Sequence, residues 1–211
     1  MRAKAGDAVS LFNGRDGEWR ARIADLTKKS CALVCEAQSE PQTGVPDLWL
    51  LFAPIKKTPA DYVVQKATEL GVSVLQPVFT RRTIVTRVNL DRMQANAIEA
   101  AEQSGRLTVP EIREPCDLPK LLRAWPSGRR ILFCDEAGDA RPIADALHGA
   151  RGGAWAILTG PEGGFDPAER DMIRALPSVM PVTLGGRILR ADTAALASLA
   201  VWQALTGDWS A

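Results

Sequence analysis

Histidine is almost missing from this chain: His148 stands alone among 211 residues. A Ser-His-Asp unit needs an imidazole beside its nucleophile. His148 precedes Gly149 at what reads as a helix end, so it is taken as a C-terminal helix residue rather than a catalytic base. Cysteine is sparse: Cys31, Cys35, Cys116 and Cys134. Cys31 and Cys35 are spaced C-x3-C, and no Cys/His pair elsewhere completes a metal site, so no metal is expected. The thiols read as free, buried or strand-borne, in a reducing cytosol. No apolar run reaches the roughly 18 residues of a membrane span. The opening MRAKAGDAVS has no apolar h-region, so neither membrane nor secretion is expected and the location read is cytoplasmic. Charge of neither sign dominates. At a net +1 the chain as a whole is no polyanion binder, and any nucleic-acid surface must be local. G-x-G-x-x-G is absent after the first parallel-type strand, which argues against a dinucleotide-binding oxidoreductase.

What remains is a soluble composition, 46% hydrophobic and 24% charged, with two kinds of pattern. Residues 1–43 read as short strands: AVSLFNG ending in the hairpin signal Asn13-Gly14, then EWRARIADLT and SCALVCEAQ. So small a β piece must pack on the rest or pair with another chain. PQTGVPD links it to residues 44–211, where apolar strands alternate with helices. LWLLFAP is a continuous run suited to a buried parallel strand. The helix after it is expected to have Thr58 as N-cap, Pro59 at N1, Asp61 at N3 and Gly71 at C′. The repeated βα units predict an α/β domain with a mainly parallel sheet, whose ligands sit beyond the strands' carboxyl ends.

Three strand-end loops carry candidate chemistry. In LTGPEGGFDPAER, Asp166, Pro167 and Glu169 predict a capped helix start, preceded by Gly160, Gly163 and Gly164. The loop is a tight turn with a capping acid or a ligand cradle. Glu162 and Asp166 would repel phosphate, so a neutral or cationic ligand suits it better. In LGGRILRADTA, Ile188 and Leu189 lie between Arg187 and Arg190. Two apolar loop residues plug the core or line a pocket, one fit for an adenine ring. The third group is basic: FTRRTIVTR and EQSGR supply Arg81, Arg82, Arg87 and Arg106, with Lys56 and Lys57 at another strand end. Such a cluster is a solvated face or suits a phosphate backbone or a base. The last helix is apolar nearly all round, which places it in the core or in a dimer interface.

QKATELGV, EQSGR, LTGPEGGFDPAE and LGGRILRADTA follow in this order, and together they resemble the RsmE family of 16S ribosomal RNA uridine N3-methyltransferases, of the SPOUT superfamily. The resemblance covers roughly residues 48–206, and KAGDAVSLFNG is similar to that family's N-terminal PUA-like β-barrel. It implies a SPOUT-type knotted parallel-sheet α/β methyltransferase domain with a deep C-terminal trefoil knot. It also implies S-adenosyl-L-methionine as methyl donor, the 16S rRNA of the small ribosomal subunit as substrate, and a homodimer formed through the C-terminal helix and knot region. The family's barrel begins earlier, with a strand this chain lacks, so the lobe over residues 1–43 is expected to be incomplete. The family more often has Glu where Asp192 stands, and the helix-capping role is expected to survive. On this reading Arg190 contacts the uracil or stabilises its anion, and Glu162 or Glu102 orients groups or takes the N3 proton. Leu158, Thr159, Gly160, Gly163, Leu184, Gly185, Ile188, Leu189 and Ala194 wrap the cofactor. Arg81, Arg82, Arg106, Lys56 and Lys57 grip RNA. The competing readings are a SPOUT enzyme acting on transfer RNA and an RNA-binding or ribosome-assembly protein without catalysis.

Overall fold

The computed structural model describes residues 3–55, 57–136 and 139–210. The chain up to Gly44, with Ala101–Val109, forms one compact unit; Val45–Ala100 and the chain from Pro110 onward form another.

In the first unit, β1 (Ala8–Phe12), β2 (Glu18–Leu26) and β3 (Cys31–Glu40) make an antiparallel sheet in that order. The Asn13-Gly14 signal falls in a connection wider than a two-residue turn. Asn13 Oδ1 accepts from the amides of Arg15 (3.0 Å) and Asp16 (2.8 Å), and Gly14 and Gly17 close the loop at φ 77° and 78°. Ala21 and Ile23 of β2 are buried, while β3 is exposed along its whole length.

The chain continues through β4 (Leu48–Phe52), α1 (Lys57–Glu69), β5 (Val74–Phe79), α2 (Leu90–Ser104), β6 (Glu111–Ile112), β7 (Cys116–Asp117) and α3 (Leu118–Arg123). Then come β8 (Arg130–Cys134), β9 (Arg141–Pro142), α4 (Ile143–Leu147), β10 (Trp155–Thr159), α5 (Pro167–Arg174), β11 (Val179–Thr183) and α6 (Ala191–Leu205). The strands order as β6-β5-β4-β10-β8-β11-β9, with β7 beside β5, and their pairings are parallel. The apolar runs explain this. β4 and β10 are buried over their full lengths, as strands covered on both faces must be. Leu118 and Leu122 of α3 and Ile173 of α5 pack with Trp49, Leu51, Phe133 and Leu158 on one face. On the other, α6 packs on β10, α1 and α4, and Trp202 meets Trp155 edge-on at 6.5 Å. Among the described residues no helix is long and apolar enough to cross a membrane.

Local expectations fared unevenly. α1 begins at Lys57, so Thr58 lies inside its first turn rather than ahead of it as N-cap, and Pro59 is its third residue rather than its first. The side chains of Lys57 and Thr58, and all of Lys56, lie outside the described residues. Asp61 instead binds Arg92 and Asn96 of α2. Gly71 has the expected left-handed φ of 81°, and a Cβ there would lie 2.6 Å from Gln203 Nε2. His148 is the C-cap residue of α4, as expected. α6 buries Ala195, Ser198, Leu199, Trp202 and Gln203, a single i, i+3, i+4 face, so it is wedged into the core on one side only.

Candidate functional site

The site follows from strand order. β4 connects through α1 to β5 on one side of the sheet, and β10 connects through α5 to β11 on the other. The carboxyl ends of β10, β8 and β11, neighbours in the sheet, come together on the side of β10 away from β4, and ligands of an open α/β sheet sit beyond such ends. LTGPEGGFDPAER leaves β10 there. A cavity of about 380 Å³ opens beside it, walled by residues 159–164, 183–189 and 134–136 with Ala191 and Ala194.

The first wall is held open by glycines. Gly164 N donates to Pro161 O at 2.9 Å, closing the turn. Gly164 sits at φ 66°, and a Cβ there would fall 1.8 Å from Glu136 Oε1. A Cβ at Gly160 would lie 2.7 Å from the Phe165 ring, which packs edge-on against Phe133 at 5.0 Å. Asp166 caps α5 as expected, accepting from Ala168 N at 3.1 Å. Glu169 is buried, and its Oε1 accepts from Arg81 N at 3.2 Å. Burial holds its carboxyl above the ordinary carboxylate range.

The second wall is the loop after β11. Thr183 Oγ1 accepts from Gly185 N at 3.3 Å, and Gly185 takes φ 104°. Ile188 and Leu189 line the cavity, and Ile188 is 94% exposed. Ile188 therefore does not plug the core. α6 starts with Arg190 as N-cap residue and no side-chain cap. Asp192 stays in the first turn and accepts from its neighbour, Thr193 N, at 2.7 Å, so it serves the helix by charge and not as the cap.

The third wall, at the end of β8, went unread in the sequence. Asp135 is buried and accepts from Arg170 Nε (3.2 Å) and Arg174 Nε (2.6 Å). Its two arginines neutralise it. Glu136 is exposed, and its Oε1 accepts from Phe165 N at 3.2 Å. Burial pushes the Cys134 thiol up to about 12, so Cys134 is a neutral wall and no nucleophile. The only sequence signal was two acids closing an apolar strand, RILFCDE.

The expected site residues divide accordingly. Thr159, Gly160, Glu162, Gly163, Leu184, Gly185, Ile188, Leu189 and Ala194 line the cavity together. Leu158 does not: it is fully buried in the core below Thr159, because it points to the opposite face from its neighbour. Arg190 is exposed between the wall residues Leu189 and Ala191 without lining the cavity itself. Glu102 and Arg106 belong to the first unit, where Arg106 Nε donates to Thr108 Oγ1 at 2.9 Å. Arg81 and Arg82, expected on RNA, are turned onto the glycine loop. Arg81 Nη1 binds Asp166 Oδ1 at 2.9 Å, and Arg82 Nη1 binds Gly163 O at 2.8 Å.

This parallel sheet, with its paired glycine and apolar loops, matches an RNA methyltransferase domain. That family matches residues 42–203, and the RNA methyltransferase PUA domain matches residues 1–35. A ribosomal RNA small subunit methyltransferase E from Rickettsia conorii is 31% identical over 201 residues, 95% of this chain and 82% of that protein. The same enzyme from Synechocystis is 31% identical over 209 residues, 97% of this chain and 68% of that protein. The crystal structure of the Neisseria gonorrhoeae ribosomal RNA small subunit methyltransferase E, bound to S-adenosyl methionine, has a TM-score of 0.87. It is 31% identical and covers 98% of this chain and 86% of that one. The chain belongs to the ribosomal RNA small subunit methyltransferase E family.

Proposed function

We propose that this chain methylates N3 of a uridine in 16S ribosomal RNA, using S-adenosylmethionine. The observation that carries the reading is the cavity between the two loops. Its volume of about 380 Å³ suits a small-molecule cofactor. Gly160 and Gly164 leave room for the Phe165 ring and the Glu136 carboxylate that shape the loop, and Ile188 with Leu189 offers an apolar wall for an adenine ring. Glu136 and Glu162 favour a cationic ligand over a phosphate. The bound cofactor would supply an electrophilic methyl on a sulfonium, leaving orientation to the protein.

The chain's own residues must handle the N3 proton and hold the base in line. Uridine N3 is a poor nucleophile until its proton leaves, so a base or a cation for the imide anion is needed. Glu162, exposed on the cavity wall, takes the proton. Arg190, between wall residues, faces the developing anion. Glu102 belongs to the other compact unit and is given no part in this step. The lobe over residues 1–43 docks RNA, with affinity falling steeply with added salt. α6 leaves Leu196, Ala200, Val201 and Leu205 half-buried or exposed, which supports a homodimer through this helix and a knotted C-terminal segment.

Mass spectrometry of ribosomal and transfer RNA from a deletion strain, with and without this chain restored, tests the reading. Restored N3-methyluridine in 16S rRNA is expected. A mark restored only in transfer RNA favours the other SPOUT branch, and no mark with RNA binding intact favours an assembly protein. An Arg190→Ala enzyme working at the parent rate would remove the arginine's role.

A further inference from the structure

The turn after β5 reaches past the end of β4 to touch the glycine loop from behind. The turn is itself built: Thr80 N donates to Thr83 Oγ1 at 2.9 Å, the two hydroxyls meet at 2.9 Å, and Thr83 N returns to Thr80 O at 3.1 Å. Three polar contacts leave it for the segment around the cavity: Arg81 N to Glu169 Oε1, Arg81 Nη1 to Asp166 Oδ1, and Arg82 Nη1 to Gly163 O. Gly163 lines the cavity, while Asp166 and Glu169 fix the start of the helix behind it. A glycine-rich segment has the most conformational freedom to lose, so its bound geometry depends on outside restraints.

We infer that Arg81 and Arg82 are positioning residues for the cofactor loop rather than the RNA grip their sequence suggests. Their guanidinium groups hold residues 163–166 in the conformation the ligand meets, and neither touches the cavity. Arg82 matters more. Its contact, also solvent-exposed, is to the backbone of the cavity-lining Gly163, whereas Arg81 reaches only the side chain of Asp166, with 64% of its own side chain exposed. The inference rests on the cavity being the S-adenosylmethionine site.

Calorimetry with S-adenosylmethionine on the full chain tests it. Arg82→Ala is expected to weaken binding about tenfold, the worth of one charge-assisted hydrogen bond. Arg81→Ala should weaken it only about two- to fivefold, as befits an exposed pair. Arg82→Lys, which keeps one donor, should recover part of the loss. In steady state Arg82→Ala should raise KM for the cofactor and leave KM for RNA unchanged, a split that general destabilisation would not produce. Unchanged cofactor affinity, with RNA affinity lowered and its salt slope reduced by about one, would overturn the inference in favour of a phosphate contact. If both affinities are unchanged, the inference is equally wrong. A parent protein that binds no S-adenosylmethionine would sink the functional reading as well, so the two failures are distinguishable.

Discussion

β4 and β3 are both rich in apolar residues, yet LWLLF is wholly buried and CALVCEAQSE wholly exposed. Helices cover both faces of the parallel sheet, so every residue of its central strands finds a neighbour. Among the described residues, the three antiparallel strands have no such layers and bury little beyond Ala21 and Ile23. Burial here follows from what the fold stacks on a strand, not from the strand's own hydrophobicity. The larger unit can therefore hold loops rigidly enough for chemistry, while the smaller offers surface.

Thiol chemistry gives the widest contrast. Cys31 and Cys35 are exposed on β3, while Cys134 is buried at the end of β8 with its thiol pushed up to about 12. Near pH 8 such a thiol is ionised in only about one molecule in ten thousand. A disulfide reagent should label Cys31 and Cys35 in the folded protein and Cys134 only after unfolding, as read by peptide mass spectrometry. Cys134 labelled as fast as Cys31 would erase the distinction.

Stability should divide the same way. Leu132 has no exposed surface, and Leu132→Ala is expected to cost about 2–5 kcal/mol in denaturant unfolding. Val34 is 57% exposed, and Val34→Ala should stay within about 0.5 kcal/mol. Equal costs would mean that something unseen covers β3.

Glycines sharpen the comparison from strain to function. Gly6 (φ 92°) and Gly164 (φ 66°) both need a left-handed backbone, but a Cβ at Gly6 meets nothing within 4 Å. Alanine at either site should cost about 1–3 kcal/mol in backbone strain. Only Gly164→Ala, which drives a methyl into the Glu136 carboxylate, should also reduce S-adenosylmethionine affinity in calorimetry. Affinity lost equally at both would detach the loop from the site.

The fold was legible because period and punctuation agreed: apolar runs, Gly71 and Asp166 marked strands and helix ends where the structure has them. The two glycine-bearing loops were legible for the same reason, since strand ends and capping residues bracket them. Cys134, Asp135 and Glu136 were not, because strand order decides which strand ends converge and no local pattern carries strand order. The contacts of Arg81 and Arg82 were hidden for a related reason. Charge clustering reads as a solvated or RNA-facing surface, and only tertiary structure brings Gly163 and Asp166 within reach. Leu158 was counted with its loop, although strand alternation turns it into the core.

The smallest effect concerns two glutamates with opposite signs. Burial raises the Glu169 carboxyl above its ordinary 4.5, with the backbone amides of Arg81 and Asp166 pulling it down less strongly. The folded chain then holds this proton more tightly than the unfolded one, so the group's contribution is fully present below 4.5 and is lost as pH rises through the raised folded value. Glu36, on the exposed sheet, is lowered chiefly by its hydrogen bond from Arg22, so its contribution is present above 4.5 and lost on acidification. Glu169→Gln keeps an acceptor for Arg81 N and never ionises. It should gain on the parent in urea unfolding near pH 7 compared with pH 4. Glu36→Gln should lose slightly at pH 7 and match its parent at low pH. If both variants shift in the same direction with pH, Glu169 is a stabilised carboxylate like Glu36, and the contrast between buried and exposed acids fails.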